Sequence, residues 1–251
     1  MQQTAFGRPL AGSSGPRFGA LLPHGAQQAT GVPFAGLPQV GALFPYDGNG
    51  TGAHFCSGSV VASSGGDIVA TAAHCVYDTY AGAYVGGVEF VPGYHDGVQP
   101  YGVWQVARAL VAPQWIDDAD PDYDVAFLVV RQPGSGRRIQ DVVGADELGV
   151  DASVGGMTQV VGYPLDAQRP VTCTAPVKLF SATQLEFDCG GFPEGTSGGP
   201  FLAGVDPATG RSTVVGVIGG YQLGGETPDI SYSAYFGDTV AALFRQAEAV
   251  G

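Results

Sequence analysis

Glycine and proline interrupt this sequence so often that no apolar run can extend far, and that punctuation constrains the fold more than any other feature. The chain of 251 residues contains 41 glycines and 18 prolines, a glycine frequency about twice the usual ~7%. Between these breaks lie apolar runs of strand length: Gln39–Leu43, His54–Val61, Asp67–Ala73, Glu89–Pro92, Val103–Ala112 and Val125–Arg131. Six short strands of this kind make one small barrel. A second series follows at Thr158–Gly162, Val171–Thr174, Val177–Ser181, Leu185–Phe187, Pro200–Leu202, Thr213–Ile218 and Ser231–Phe236. The sequence therefore predicts an all-β protein of two barrels, and 45% hydrophobic content supplies enough apolar surface to fill them.

The segments outside the strands differ in character. Residues 1–37 mix Gly, Pro, Ser, Gln and Ala without period and read as an extended arm or propeptide remnant. Residues 132–155, opening on Pro-Gly-Ser-Gly, read as a linker between barrels at about 38–131 and 156–237. The chain closes on an amphipathic helix at 238–250, capped by Asp238, with Val240, Leu243, Phe244 and Ala247 on one face. No repeat or heptad period is present.

Charge and cysteine content narrow the setting. A formal net charge of −13, from 23 acidic against 10 basic residues, repels a phosphate backbone, so no nucleic-acid partner is expected. No apolar stretch reaches the ~20 residues of a membrane span, and no signal-peptide pattern is visible. Four cysteines, at 56, 75, 173 and 189, fall into two local pairs without Cys-x-x-Cys spacing. Two disulfides and an oxidising, extracellular location are expected. A monomer without cofactor or metal is expected as well. The acidic loop at 117–122 lacks the Asp-x-Asp-x-Asp-Gly pattern of a calcium loop.

Three short motifs carry chemistry. Gly195-Thr196-Ser197-Gly198-Gly199-Pro200 offers a nucleophile, Ser197, in a turn tight enough to aim the Gly195 and Ser197 amides into one small space. That space would be an oxyanion hole. Thr71-Ala72-Ala73-His74-Cys75 places His74 at a strand end, and neutral imidazole is the side chain best matched to proton transfer near pH 7. His24, His54 and His95 lie in Pro/Gly-rich or strand-edge contexts and suggest no such role. Asp124, ahead of the Val125–Arg131 run, can hold the His74 tautomer, with Asp122 its nearest competitor.

Thr-Ala-Ala-His-Cys, Asp-Val-Ala and Gly-Thr-Ser-Gly-Gly-Pro, in that order, resemble the trypsin/chymotrypsin family of serine peptidases, in particular its bacterial secreted and glutamyl-endopeptidase-like members. The resemblance covers residues 38–250. It implies two six-stranded antiparallel Greek-key barrels with His74, Asp124 and Ser197 at the cleft between them, and a protein or peptide substrate. It pairs Cys56 with Cys75, which leaves Cys173 to pair with Cys189. It further implies a specificity pocket lined by Gly191, Phe192 and Pro193 on one side and by Ile218, Gly219 and Gly220 on the other.

Departures from the family pattern sharpen these expectations. Thr196 stands where animal members carry an activating acid, so the site is expected to be preformed. Gly191 takes the pocket-base position, where trypsin-like preference needs an acid, and Ile218 replaces the histidine of glutamyl endopeptidases. An apolar or aromatic residue before the cut is the resulting expectation. Gly219 replaces a serine that supports the aspartate, which calls for support from elsewhere. Two other readings compete with an active endopeptidase. A catalytically silent homologue that binds protein would not require all three of His74, Asp124 and Ser197. An α/β-hydrolase esterase needs its histidine after the serine, and none follows Ser197.

Overall fold

The computed structural model describes residues 28–46 and 52–251, so the expectation for the first 27 residues of the arm lies outside the described residues. Strands β1 (Val40–Pro45), β2 (Cys56–Val61), β3 (Ile68–Thr71), β4 (Val88–Pro92), β5 (Trp104–Val111) and β6 (Ala126–Arg131) form a closed antiparallel barrel in the order β1-β2-β3-β6-β5-β4. Each begins and ends within two residues of an expected run. A register shift between Val106 and Arg108 accommodates the bend of β5 along β6.

Strands β7 (Met157–Gly162), β8 (Val171–Leu179), β9 (Gln184–Asp188), β10 (Pro200–Ala203), β11 (Thr213–Val217) and β12 (Ile230–Ala234) pair in the order β11-β10-β7-β8-β9-β12. That is the cyclic order of the first barrel, with one difference. No ladder joins β11 to β12; the seam is held instead by the Val217 amide donating to Ser233 Oγ at 2.9 Å and the Gly219 amide donating to Tyr232 O at 3.0 Å. The second barrel is closed by these bonds rather than by strand pairing.

The runs expected at Val171–Thr174 and Val177–Ser181 are one strand. β8 pairs with β7 through Pro176 and with β9 from Val177 onward. The proline, which has no N–H to give a ladder, sits where the strand changes partners, so it bends the strand without ending it. The arm and linker also hold more structure than their composition suggests. Val32–Pro33 adds to the edge of β8, and the linker contains helix α2 (Ile139–Val143) and a short strand, Glu147–Leu148, parallel to β11. A further short helix, α1 (Pro113–Asp118), starts at Pro113, whose fixed φ suits a first helical position.

Strand alternation builds three cores. In β6, Ala126, Leu128 and Val130 face one cluster with Val60, Val69 and Trp104, inside the first barrel. Phe127 and Val129 face the opposite way, toward Val161, Leu202, Val217 and helix α3 (Asp238–Glu248). This middle core fuses the two barrels, and α3 covers it with Val240, Leu243 and Ala247. Gly237, not Asp238, occupies the N-cap of α3; Asp238 is the first helical residue and complements the helix dipole there. A third core, with Val160, Phe187, Phe201 and Val215, fills the second barrel.

Candidate active site

The barrel register itself brings His74 and Asp124 together. Thr71, the last residue of β3, pairs with Ala126, the first of β6. His74 lies three residues beyond one strand end and Asp124 two residues before the other, so both project from the same rim. A 3-10 turn at Ala73–Cys75 presents the imidazole, and another at Pro121–Tyr123, capped by the Asp120 side chain, presents the carboxylate.

Asp124 is fully buried and accepts three hydrogen bonds: from the His74 amide at 2.9 Å, His74 Nδ1 at 2.8 Å and the Gly220 amide at 2.9 Å. The Gly220 amide is the support that Gly219 lacks a side chain to give. With Nδ1–H committed to the carboxylate, the neutral ring leaves Nε2 bare as a base. Burial pulls the His74 pKa down, but the charge and hydrogen bond of Asp124 outweigh it, and the net shift is upward from the ordinary histidine value. Asp122, the competing carboxylate, is engaged elsewhere: its Oδ1 accepts from Gln184 Nε2 at 2.7 Å.

Ser197 lies in the second barrel, ahead of β10, and β2 of the first barrel grips its loop. The Ser57 amide donates to Ser197 O at 2.7 Å, and the Ser57 hydroxyl donates to Gly195 O at 3.0 Å while accepting from the Tyr163 amide at 2.8 Å. The fit is close enough to require glycine at 198, where a Cβ would stand 2.1 Å from Thr71 Oγ1 and 2.3 Å from Ser57 O. Buried Thr196 closes the turn by donating its hydroxyl to Pro193 O at 2.7 Å.

Two peptide planes in this loop are fixed by their carbonyls. Glu194 O accepts from the Leu165 amide at 2.8 Å, and Thr196 O accepts from the Gly199 amide at 2.9 Å. In a trans peptide the N–H points opposite to the C=O, so the Gly195 and Ser197 amides are turned away from those partners. Neither has a hydrogen-bond acceptor among the described residues.

His74 and Ser197 share a cleft of about 470 Å³ whose walls include Phe192, Pro193, Thr196, Ile218 and the segment Gln222–Pro228. Of the six residues expected to line the pocket, Phe192, Pro193 and Ile218 do so; Gly191, Gly219 and Gly220 do not. Gly191 backs onto Gly31 of the arm, Gly219 lies against the Asp124 carboxylate, and Gly220 packs on Gln184 and Ser233. The wall from 222 to 228 was not foreseen. It turns through Gln222 and Leu223, both in left-handed conformations at φ 53° and 55°, a geometry that residue types do not announce. The lining includes two acidic residues, Glu194 and Glu226, and, apart from His74, no basic residue.

Cys56 is bonded to Cys75 and Cys173 to Cys189. The first bridge ties β2 to the turn bearing His74, closing a loop whose constraint contributes about 3 kcal/mol. His74, Cys56 and Cys75 are close enough together to suggest a metal site, but both sulfurs are spent in the disulfide. No helix among the described residues is long and apolar enough to cross a membrane.

Comparison with known proteins bears on the family and the fold. The Trypsin family model matches residues 39–235. A glutamyl endopeptidase of Bacillus licheniformis is 30% identical over 113 residues, 44% of this chain and 33% of that protein, so the match spans about a third of the relative's length. The crystal structure of the protease Anisep from Arthrobacter nicotinovorans superposes with a TM-score of 0.72 at 26% identity, covering 86% of this chain and 98% of the other. A thermostable serine protease, AL20, from an extremophilic microorganism also gives 0.72 at 26% identity, covering 85% and 98%. A Glu endopeptidase structure shares the fold, with a TM-score of 0.69 at 18% identity over 88% of this chain and 97% of that one. With its three motifs in order and two barrels of the same strand order, the chain belongs to the trypsin family of serine proteases and has the chymotrypsin-like fold.

Proposed function

We propose that this protein is an exported serine endopeptidase that cleaves peptide bonds through an acyl-enzyme on Ser197. The observation that carries the reading is the buried Asp124 carboxylate holding His74 Nδ1–H at 2.8 Å in the cleft that Ser197 shares. His74 Nε2 takes the Ser197 proton as Oγ attacks the carbonyl carbon. The Gly195 and Ser197 amides receive the developing oxyanion. His74 then gives the proton to the leaving amine, and water repeats the sequence to release the acid.

Thr196 supports a site formed without an activating ion pair, since its hydroxyl bonds within its own turn. Two disulfides support export to an oxidising compartment. Intact mass after exposure to a fluorophosphonate tests the reading directly. One adduct on the folded chain and none on Ser197→Ala is expected, with peptide turnover reduced by about 10⁴-fold or more in Ser197→Ala and His74→Ala. Retained turnover in either variant would overturn it. Activity that arises only when residues 1–37 are removed would overturn the preformed site.

A further inference from the structure

A histidine outside the triad sits behind the oxyanion hole. His54 is 1% exposed and is enclosed by the rings of Phe44, Tyr94 and Tyr163, whose centroids lie 5.6, 5.9 and 6.1 Å away. Its Nε2 is 2.8 Å from Pro164 O, which fixes the proton on that nitrogen because a carbonyl can only accept. Nδ1 is buried with no partner among the described residues. An unpaired buried nitrogen costs stability, and a phenyl ring would fill the same aromatic box without that cost. The bond to Pro164, beside a weaker approach to the Tyr163 backbone, is what the imidazole adds.

Tyr163, Pro164 and Leu165 are the residues on which the Gly195 amide rests. A Cβ on Gly195 would stand 2.4 Å from Leu165 N and 2.7 Å from Tyr163 O, so the two backbones are in direct contact. The Leu165 amide donates to Glu194 O at 2.8 Å and thereby sets the Glu194–Gly195 peptide plane. The Tyr163 amide reaches the same loop through Ser57 Oγ, which donates to Gly195 O. His54 holds the carbonyl at the centre of this three-residue support.

We propose that His54 is a positioning residue for the oxyanion hole, acting through Pro164 and Leu165 to keep the Gly195 N–H aimed at the developing oxyanion. This rests on the peptidase reading above. Its effect falls on the transition state and not on ground-state binding, since the amide is needed only once the carbonyl oxygen gains charge.

The test compares His54→Phe, which keeps the ring volume and removes the donor, with His54→Gln, whose amide N–H can replace Nε2–H. Leu165→Pro removes the N–H donor to Glu194 O and sets a ring carbon in its place, at a position whose side chain is exposed, with Leu165→Ala as the control for loss of the side chain. Expected are kcat values lowered about tenfold to hundredfold in His54→Phe and Leu165→Pro at nearly unchanged KM, with near-normal turnover in His54→Gln and Leu165→Ala. Leu165→Pro serves if His54→Phe does not fold. The amide resonance of Gly195 gives a readout independent of turnover: it should shift in the two impaired variants and stay in place in the other two. Normal kcat in a folded His54→Phe, or loss in His54→Gln equal to that in His54→Phe, overturns the proposal. So does an unmoved Gly195 resonance. A wild type that takes up no fluorophosphonate sinks the peptidase reading instead, and the resonance still decides the His54 one.

Discussion

At the scale of single residues, the Asp124–His74 pair fixes a pH dependence whose sign can be worked out. In the proposed mechanism catalysis needs neutral imidazole, and Asp124 raises the His74 pKa above the ordinary 6.5 despite the opposing effect of burial. The acid limb of kcat/KM is therefore expected above pH 6.5. In Asp124→Asn both raising influences vanish and burial remains, so the limb moves below 6.5 while the plateau falls about 10³- to 10⁴-fold, because an amide no longer enforces the Nδ1–H tautomer. A pH–rate profile of both proteins checks this, and an unmoved limb would mean that another group controls it. The candidate triad of His74, Asp124 and Ser197 is legible in the sequence because each proposed chemistry demands a particular side chain in a particular motif. The Gly220 amide on Asp124, the Ser57 clamp and the His54 prop were not. The Gly220 amide is a backbone group that every residue but proline carries, the Ser57 clamp joins its amide and hydroxyl to partners more than a hundred residues away, and His54 reads as an ordinary strand-edge histidine until the fold brings Pro164 to it.

Elements were legible wherever turns bounded them, and misread where a contact from far along the chain decides. The runs on either side of Pro176 read as two strands because β9 is not visible from the local sequence, and the β11–β12 seam depends on the Ser233 hydroxyl and the Tyr232 carbonyl, which no local pattern marks. The described part of the extended arm likewise takes its place from contacts far along the chain. It bonds to the back of the cleft wall: the Gly31 amide donates to Gly190 O at 2.7 Å, the Gly190 amide donates to Ala29 O at 2.8 Å, and Gln28 Nε2 reaches Asp229 O at 2.6 Å. The two cleft walls are joined by the Phe192 amide donating to Pro228 O at 3.1 Å, so the arm braces both sides. A side chain at 31 would press on this brace, since a Cβ there meets Gly190 O at 3.3 Å and Phe192 Cε2 at 3.4 Å. Gly31→Val is expected to cost about 1–3 kcal/mol of unfolding free energy and to raise KM more than it lowers kcat. Chemical denaturation and steady-state kinetics measure the two effects. An unchanged KM would show that the arm leaves the wall alone.

For the whole molecule, charge sets an expectation for what the cleft accepts. The chain carries a formal charge of −13, and Glu194 and Glu226 bring that sign to the cleft itself. A carboxylate entering here meets no lysine, arginine or second histidine among the described lining residues; it meets two like charges and the apolar surface of Phe192, Pro193 and Ile218. Desolvating it without a partner is unfavourable, and the repulsion adds to that cost. Similarity to glutamyl endopeptidases therefore does not carry their substrate over to this chain. Two peptide nitroanilides that differ only in Phe or Glu before the cut are expected to differ in kcat/KM by on the order of a hundredfold in favour of Phe. Part of that gap is electrostatic and exposed to solvent, so it should narrow between 0.1 and 1 M salt as the screening length falls from about 10 Å to about 3 Å. The remainder, which reflects the missing partner for the carboxylate, should persist. Faster cleavage after Glu would require a cation in the cleft that the lining does not supply, and would overturn the assignment of specificity to these walls.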